Sequence, residues 1–502
     1  MTATSLSQLL RDRLQIHAAA NRIALLDDHR VVSYADLIGR IDGRAAAARS
    51  RVARGERVGL LGPKSPEALS LFFGIMQAGG CPAFLDPRLG SDALSRHARA
   101  IGIRQVFVPD DTGSLTEAPG GAELLVQSLG LDSPSNEEDS ALRTLTRSDL
   151  AMLQSTSGST GVARGVLLSH GNLLANADGV IRHTGITPSD RLLHVMPLHH
   201  TNGLNNQVIA PLLAGASVVL IDRFRADQFE TEIARWTPTY LTGVPTMYAR
   251  VLPHLCDSEK RRSLRFLRCG SAPLTPTLQT RIEEEFGVPL IVSYGLSEAT
   301  CTSTMNPPSA RRVGSVGTVL RGQQVRICAP GTTDAVASGT EGEICIAGPT
   351  VMQGYSDGSA APTTLDGWLP SGDLGHFDAD GYLFVTGRLK DLIIRGGENL
   401  SPRRIEQVLL EDPTVAECCV VGAPDSDLGE QPVVFARAKD GADLQLRKLR
   451  ALVTRRLSRI HAPCRLYLLD ALPETSIGKI DRAALRRRAA GLTDETEDGD
   501  AQ

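Results

Sequence analysis

From about residue 20 to residue 225, short apolar runs alternate with longer segments rich in Ala and Leu. RVGLLG (57–62), CPAFLD (81–86), RQVFVP (104–109), AELLVQ (122–127), RLLHVMP (191–197) and ASVVLID (216–222) have the length and continuity of buried strands. Between them, SPEALSLFFGIMQAGG (65–80) and GNLLANADGVIRHTG (171–185) predict amphipathic helices. Repeated strand–helix order implies a doubly wound α/β fold with a parallel sheet, whose ligands bind at the carboxyl ends of strands. The rhythm returns in TYLTGVP, a helix near 245–255, LRFLRCG, a helix at 276–287 and PLIVSYG. After residue 310, SVGTVL, QQVRICAP, GEICIAG and DGYLFVTG change the pattern to strand and turn. Beyond GRLKDLI (387–393), the helix SPRRIEQVLLEDP, the strands ECCVVGAP and PVVFARA and the basic helix LQLRKLRALVTRRL predict a separate small α+β unit.

Composition narrows the class. The 502 residues carry a formal net charge of -4, which gives no basic excess for nucleic acid or an anionic membrane surface. No N-terminal segment pairs a basic start with an apolar run, and no 18-residue apolar stretch occurs, so a cytoplasmic protein is expected. The nine cysteines (Cys81, Cys256, Cys269, Cys301, Cys328, Cys345, Cys418, Cys419, Cys464) form no CxxC pair and are expected as buried free thiols.

Four stretches bear chemistry. QSTSGSTGVARG (154–165) follows the strand-like SDLAMLQ and precedes VLLSHGNLL, where Ser169 is placed to cap a helix. Its hydroxyls and glycines suit phosphate oxygens, although no Walker lysine follows, and a mobile surface loop is an equal reading. SYGLSEAT (293–300) closes an apolar run, so that Tyr294 offers a face to a base, Ser297 a hydroxyl and Glu298 an oxygen for Mg²⁺; alternatively Tyr294 is core and Glu298 a helix-start acid. In SGDLGHFDADGYLFVTGRLKDLI (371–393), Asp373 and Arg388 flank a hairpin turned at DADG and reach the same end. A carboxylate there suits a ribose, or forms only a surface ion pair. In PETSIGKIDRAAL (473–485), Lys479 follows Gly478 in a loop before a helix, where a surface charge is the plainer reading.

Taken together and in this order, the motifs resemble the adenylate-forming superfamily of acyl- and aryl-CoA synthetases, luciferases and peptide-synthetase adenylation domains. STSGSTGVARGV is similar to its phosphate loop, SYGLSEAT to its adenine and Mg²⁺ motif, SGDLGHF and GRLKDLI to its ribose and hinge motifs, and IIRGGENLSPRRIE and TSIGKIDR to its C-terminal signatures. The resemblance implies an α/β N-terminal adenylation domain (1–388) of doubly wound αβαβα subdomains plus a β-rich subdomain. It further implies a small mobile α+β lid (389–490) and a disordered acidic tail (491–502).

The implied reaction is ATP-dependent activation of a carboxylic acid to an acyl-adenylate, then transfer to a thiol, CoA first and otherwise a carrier protein or an amine. By the resemblance, Thr156, Ser157, Gly158, Ser159, Thr160 and Gly161 hold the β- and γ-phosphates. Arg164 stands where the family has Lys and keeps the positive charge. Tyr294 and Gly295 meet adenine, Ser297 the α-phosphate, Glu298 with Thr160 the Mg²⁺, and Asp373 with Arg388 the ribose. Lys479 is the implied catalytic lysine, with Glu298 and the gating His200 as further catalytic residues. Lys390 and Asp391 match the hinge, and Gly396 and Gly397 the channel along which the thiol passes. Ile394 departs from a frequent Lys. The acyl pocket is expected from His200, Thr201, Gly203, Val244, Met247, Gly270, Ser271, Ala272 and Cys301. PLHHTNG (197–203) lacks the Asp of α-amino-acid enzymes, and Arg268 faces either a second carboxylate or solvent.

Overall fold

The structure, a computed structural model, describes residues 5–110, 125–128, 144–157, 163–363, 366–475 and 479–491. The chain divides into two units, Met1–Val325 with Cys345–Leu369 and Arg326–Ile344 with Pro370–Gln502.

The centre of the first unit is a nine-stranded sheet in the order 318–319, 304–305, 290–294, 266–269, 240–243, 191–194, 217–220, 23–26 and 31–33. Its six inner strands are parallel, with antiparallel strands only at the two ends. Both faces of such a sheet are covered, which is why Tyr240–Gly243 and Phe266–Cys269 are buried at every position rather than at alternate ones. A second parallel sheet orders Cys81–Phe84, Arg57–Leu60, Gln105–Val108 and Leu125–Ser128. The doubly wound α/β expectation holds; residues 122–124 of one expected strand lie outside the described residues.

Two local readings change. The Pro66–Gln77 helix is buried along its whole length, so it has no solvent face and is not amphipathic. It starts as expected, with Ser65 accepting from the Ala68 amide and Pro66 in the first turn. The described residues of QSTSGSTGVARG are strand: Leu150–Ser157 and Ala163–Ser169 pair antiparallel, with Thr156 opposite Arg164. Gly354–Tyr355 adds a third antiparallel strand beside Leu167 and Val166. Ser169 does cap the His170–Thr184 helix, accepting from Asn172 N.

The second unit holds a five-stranded sheet, Glu398–Leu400, Ile393–Arg395, Gly429–Ala438 and Val415–Asp425, with Arg465–Leu468 parallel to Gly429–Ala438. The helices Pro402–Leu409 and Leu446–Arg456 pack Ile405, Leu409, Leu449 and Val453 against one face of it. Leu485 and Ala489 of the Arg482–Gly491 helix join Val421, Val433 and Phe435 in a second cluster. All nine cysteines are free thiols; Cys256 is exposed, contrary to the expectation of burial, while six of the others are buried. No helix among the described residues is long and apolar enough to cross a membrane.

One buried ion pair has a measurable stability effect. Glu230 and Arg261 are bonded through Oε1 and Nη1, and each side chain is only 6–7% exposed. Burial opposes ionisation of Glu230. The Cys256 thiol, the Asp257 and Cys256 amides and Arg261 outweigh it and hold the carboxyl below its usual range. Glu230→Ala strands Arg261 without its anion and should cost about 3–5 kcal/mol in chemical denaturation at pH 7. Because the folded-state value is depressed, this contribution is complete above pH ~4.5 and fades as pH falls through the folded-state pKa.

Candidate active site

The topology fixes where a ligand sits. From Arg191–His194 the chain passes to Ser217–Leu220 on one side, then returns to place Tyr240–Gly243 on the other. Strand order therefore reverses between 191–194 and 240–243, the position at which open α/β sheets bind ligands outside their carboxyl ends. The segments leaving four neighbouring parallel strands at that edge are 195–203, 244–248, 270–274 and 295–303. With Tyr294 at the end of its strand, they carry His200, Thr201, Gly203, Val244, Met247, Gly270, Ser271, Ala272, Gly295, Ser297, Glu298 and Cys301 to the same edge.

Hydrogen bonds tie these segments to one another. Asn202 Nδ2 donates to Ser271 Oγ at 3.4 Å, and Asn206 Nδ2 contacts Cys301 Sγ at 3.1 Å and Thr302 Oγ1 at 3.0 Å. Asn202–Ile209 is a π-helix, a geometry that local packing alone seldom selects. Ser271, Thr300 and Cys301 hold φ of 67°, 68° and 142° without being glycine, so backbone strain clusters on the same segments. Gly203 and Gly295 are there for close approach: an added Cβ would stand 2.0 Å from Pro197 O and 1.9 Å from Cys301 O. His200 is half-buried with its ring 4.5 Å from that of His199. Burial pushes the His199 imidazole down to about 4, against the pull of Asp86 3.7 Å away.

The hairpin supplies the next group. Thr156 Oγ1 donates to Arg164 O at 3.3 Å, and Ser155 Oγ pairs with His97 Nε2 at 2.8 Å. Gly158, Ser159, Thr160, Gly161 and the Ser157 side chain lie outside the described residues. Arg164 donates to Ser359 Oγ at 2.7 Å and lies 3.5 Å above the Tyr355 ring. Tyr355 OH in turn donates to Glu298 Oε1 at 3.4 Å. A single aromatic residue thus links the hairpin's cation to the carboxylate of SYGLSEAT. Sequence reasoning missed Tyr355, although GYSDG two residues beyond Met352 is a visible turn signal. It also missed His194, whose fully buried ring bonds Gly203 O at 2.8 Å and whose pKa burial lowers to about 3. Among the described residues no group of three or more His, Cys, Asp or Glu could hold a metal ion.

In the second unit, Asp373 and Arg388 are register partners on adjacent antiparallel strands, with Nε 3.3 Å from Oδ1. Burial, with Arg388 nearby, lowers the Lys479 pKa from the usual lysine range, and Asp373 opposes the shift. Arg403 also feels the Asp373 charge, so Asp373 is set among three cations. Lys390 is exposed, and Asp391 is half-buried 3.9 Å from Arg482 Nε. Gly396 and Gly397 form the two-residue turn between Ile393–Arg395 and Glu398–Leu400, at φ of 57° and 84°. That hairpin demands left-handed backbone at both positions, a local reason for two glycines. Ile394 is 56% exposed.

Comparison with known proteins decides the family. Residues 13–356 match the family described as AMP-binding enzyme, and residues 404–479 its C-terminal domain. The chain belongs to the AMP-binding enzyme family. This AMP-binding enzyme is 40% identical over 346 residues to the sulfoacetate–CoA ligase of Cupriavidus necator, 68% of this chain and 67% of the relative. It is 34% identical to the feruloyl-CoA synthase of an Amycolatopsis species, across 95% of this chain and 97% of the relative. The ATP-bound structure of MatB from Rhodopseudomonas palustris superposes with a TM-score of 0.87 at 29% identity, covering 97% of this chain and 100% of that one. The expected fold class, with a large N-terminal part and a small C-terminal domain, agrees with these neighbours.

Proposed function

We propose that this AMP-binding enzyme is an acid–CoA ligase whose two half-reactions are divided among the residues described above. The observation that carries the reading is the convergence of four segments, three with expected acyl-pocket residues and one with SYGLSEAT, at the carboxyl ends of four adjacent parallel strands. In the first half-reaction a carboxylate oxygen attacks the α-phosphorus of ATP, and the bond to pyrophosphate breaks. No protein nucleophile is needed; positioning and charge neutralisation lower the barrier. Thr156, Ser157, Gly158, Ser159, Thr160 and Gly161 hold the β- and γ-phosphates, and Arg164 adds a positive charge. Tyr294 stacks on adenine beside Gly295, Ser297 meets the α-phosphate, Asp373 and Arg388 take the ribose, and Lys479 neutralises charge where carboxylate and α-phosphate meet. Mg²⁺ fits Glu298 as a single protein carboxylate, because this ion keeps waters and substrate phosphates as most of its ligands; Thr160 would add a hydroxyl.

In the second half-reaction the CoA sulfur attacks the acyl carbon and AMP leaves. Residues 389–490 act as a lid that turns about Lys390 and Asp391, withdraws Lys479 and admits the thiol past Gly396 and Gly397. His200 gates the acyl pocket. The sulfoacetate–CoA ligase and feruloyl-CoA synthase relatives support CoA as acceptor; a cytoplasmic setting belongs to the same proposal. Incubation with ATP, Mg²⁺ and a panel of acids, with and without CoA, should yield AMP, pyrophosphate and a thioester. Release of ADP would overturn adenylation. Pyrophosphate exchange without any acyl-CoA would transfer the second step to a carrier protein or an amine.

A further inference from the structure

Arg268 lies in the Phe266–Cys269 strand and is wholly buried, so it does not face solvent. Its Nε, Nη1 and Nη2 atoms have no hydrogen-bond partner among the described residues. A guanidinium stays charged in proteins and carries five donors, and a buried cation without an anion is strongly unfavourable.

Among the described residues no anion balances it. The groups acting most on its charge are Tyr240, Cys301 and Tyr248, and burial raises the pKa of all three, which keeps them neutral. Tyr248 OH is spent on Arg268 O at 2.7 Å. Asp190, which acts on Tyr240, is occupied by Thr187, Thr239 and Arg265. Thr242, the register partner of Arg268 on the next strand, also has an unpartnered buried hydroxyl, as has Tyr240. These donors lie below the segments that build the acyl site. Gly270, Ser271 and Ala272 follow Arg268 directly, and Cys301 beside it is bonded to Asn206, which also bonds Asn202.

We propose that Arg268 receives a second anionic group of the acid substrate, so that the enzyme takes short acids bearing a carboxylate or sulfonate remote from the carboxylate that is adenylated. The inference rests on the acid-activating reading above. A planar guanidinium pairs two oxygens of either group at once, and substrate binding supplies the anion that the fold withholds. An acid lacking the second group leaves the cation buried and unpaired, which is the situation that gives strong discrimination.

The test pairs acids of matched length (propionate with malonate and with sulfoacetate, butyrate with succinate) on the full chain with ATP, Mg²⁺ and CoA, following AMP. The wild type should favour at least one dianionic partner by about 100-fold in kcat/KM. Arg268→Met should lose that advantage, its kcat/KM for the dianionic acid falling to about that for the matched monoacid, and Arg268→Lys should keep part of it. The dianionic acid alone, without ATP, should raise the Tm of the wild type and not of Arg268→Met. The unliganded Arg268→Met variant should melt no lower than the wild type, because it removes an unpaired buried charge. Equal rates for dianionic and monoanionic acids in the wild type would overturn the proposal whether or not the variants fold. So would parallel loss of both acid classes in Arg268→Met with a lowered Tm, which marks a structural role. If no acid yields AMP, the acid-activating reading falls, and the thermal shift with dianionic acid alone still decides Arg268.

Discussion

Lys479→Ala should reduce adenylate formation by about 10²–10³-fold, the usual effect of removing one preorganised charge from the point of attack. A supplied acyl-adenylate should still react with CoA at close to the wild-type rate. Separate measurement of pyrophosphate release and of thioester formation from the adenylate distinguishes the two steps. Equal loss of both would contradict the division of labour proposed for residues 389–490. The electrostatics add a pH signature. Burial and Arg388 depress the Lys479 pKa, so the ammonium proposed to serve adenylation is lost as pH rises through a value below the ordinary lysine range. Adenylation should therefore fall on the alkaline side, and Lys479→Arg, which stays charged, should flatten that limb.

Asp373→Asn should raise KM for ATP by about 10–100-fold, the range expected on removing a charged acceptor from a ribose. Stability should hardly change, because the Asp373–Arg388 pair is half-exposed on its Arg side and such pairs contribute little. A second readout separates a nucleotide role from a structural one. Asp373 supports the protonated form of Lys479, so its loss should move the alkaline limb of adenylation to lower pH. Unchanged KM for ATP with a lowered Tm would make Asp373 a structural residue.

What the sequence revealed depended on how local each signal is. That Asp373 and Arg388 reach the same end follows from a hairpin about the DADG turn, but their direct pairing depends on a register shift between Leu374 and Gly375 that alternation alone does not give. The hairpin at 150–169 was legible only in part. VLLS runs straight into the helix capped by Ser169, and the strand that completes the ladder comes from Gly354–Tyr355, far away in sequence. Tyr355 was missed for the same reason: its bonds to Arg164 and Glu298 exist only after folding. Arg268 was named yet left facing either way. In a parallel sheet covered on both faces, a strand such as FLRC has no polar side from which direction can be read. Gly396 and Gly397 show the converse, since a tight turn accounts for them without reference to a ligand.

The three-stranded ladder at 150–169 also sets an order of events during synthesis. Tyr355 pairs with Val166, so the outer strand leaves the ribosome nearly two hundred residues after the one it covers. At about 5–20 residues per second that delay is on the order of 10–40 s. Throughout it, Ala163–Ser169 presents an open edge of the kind that invites pairing with other chains. A product that stops between residues 298 and 354 keeps Arg164 and Glu298 but lacks the ring that joins them. The Arg164–Tyr355–Glu298 link is therefore a feature the chain acquires late, when most of it has already been made.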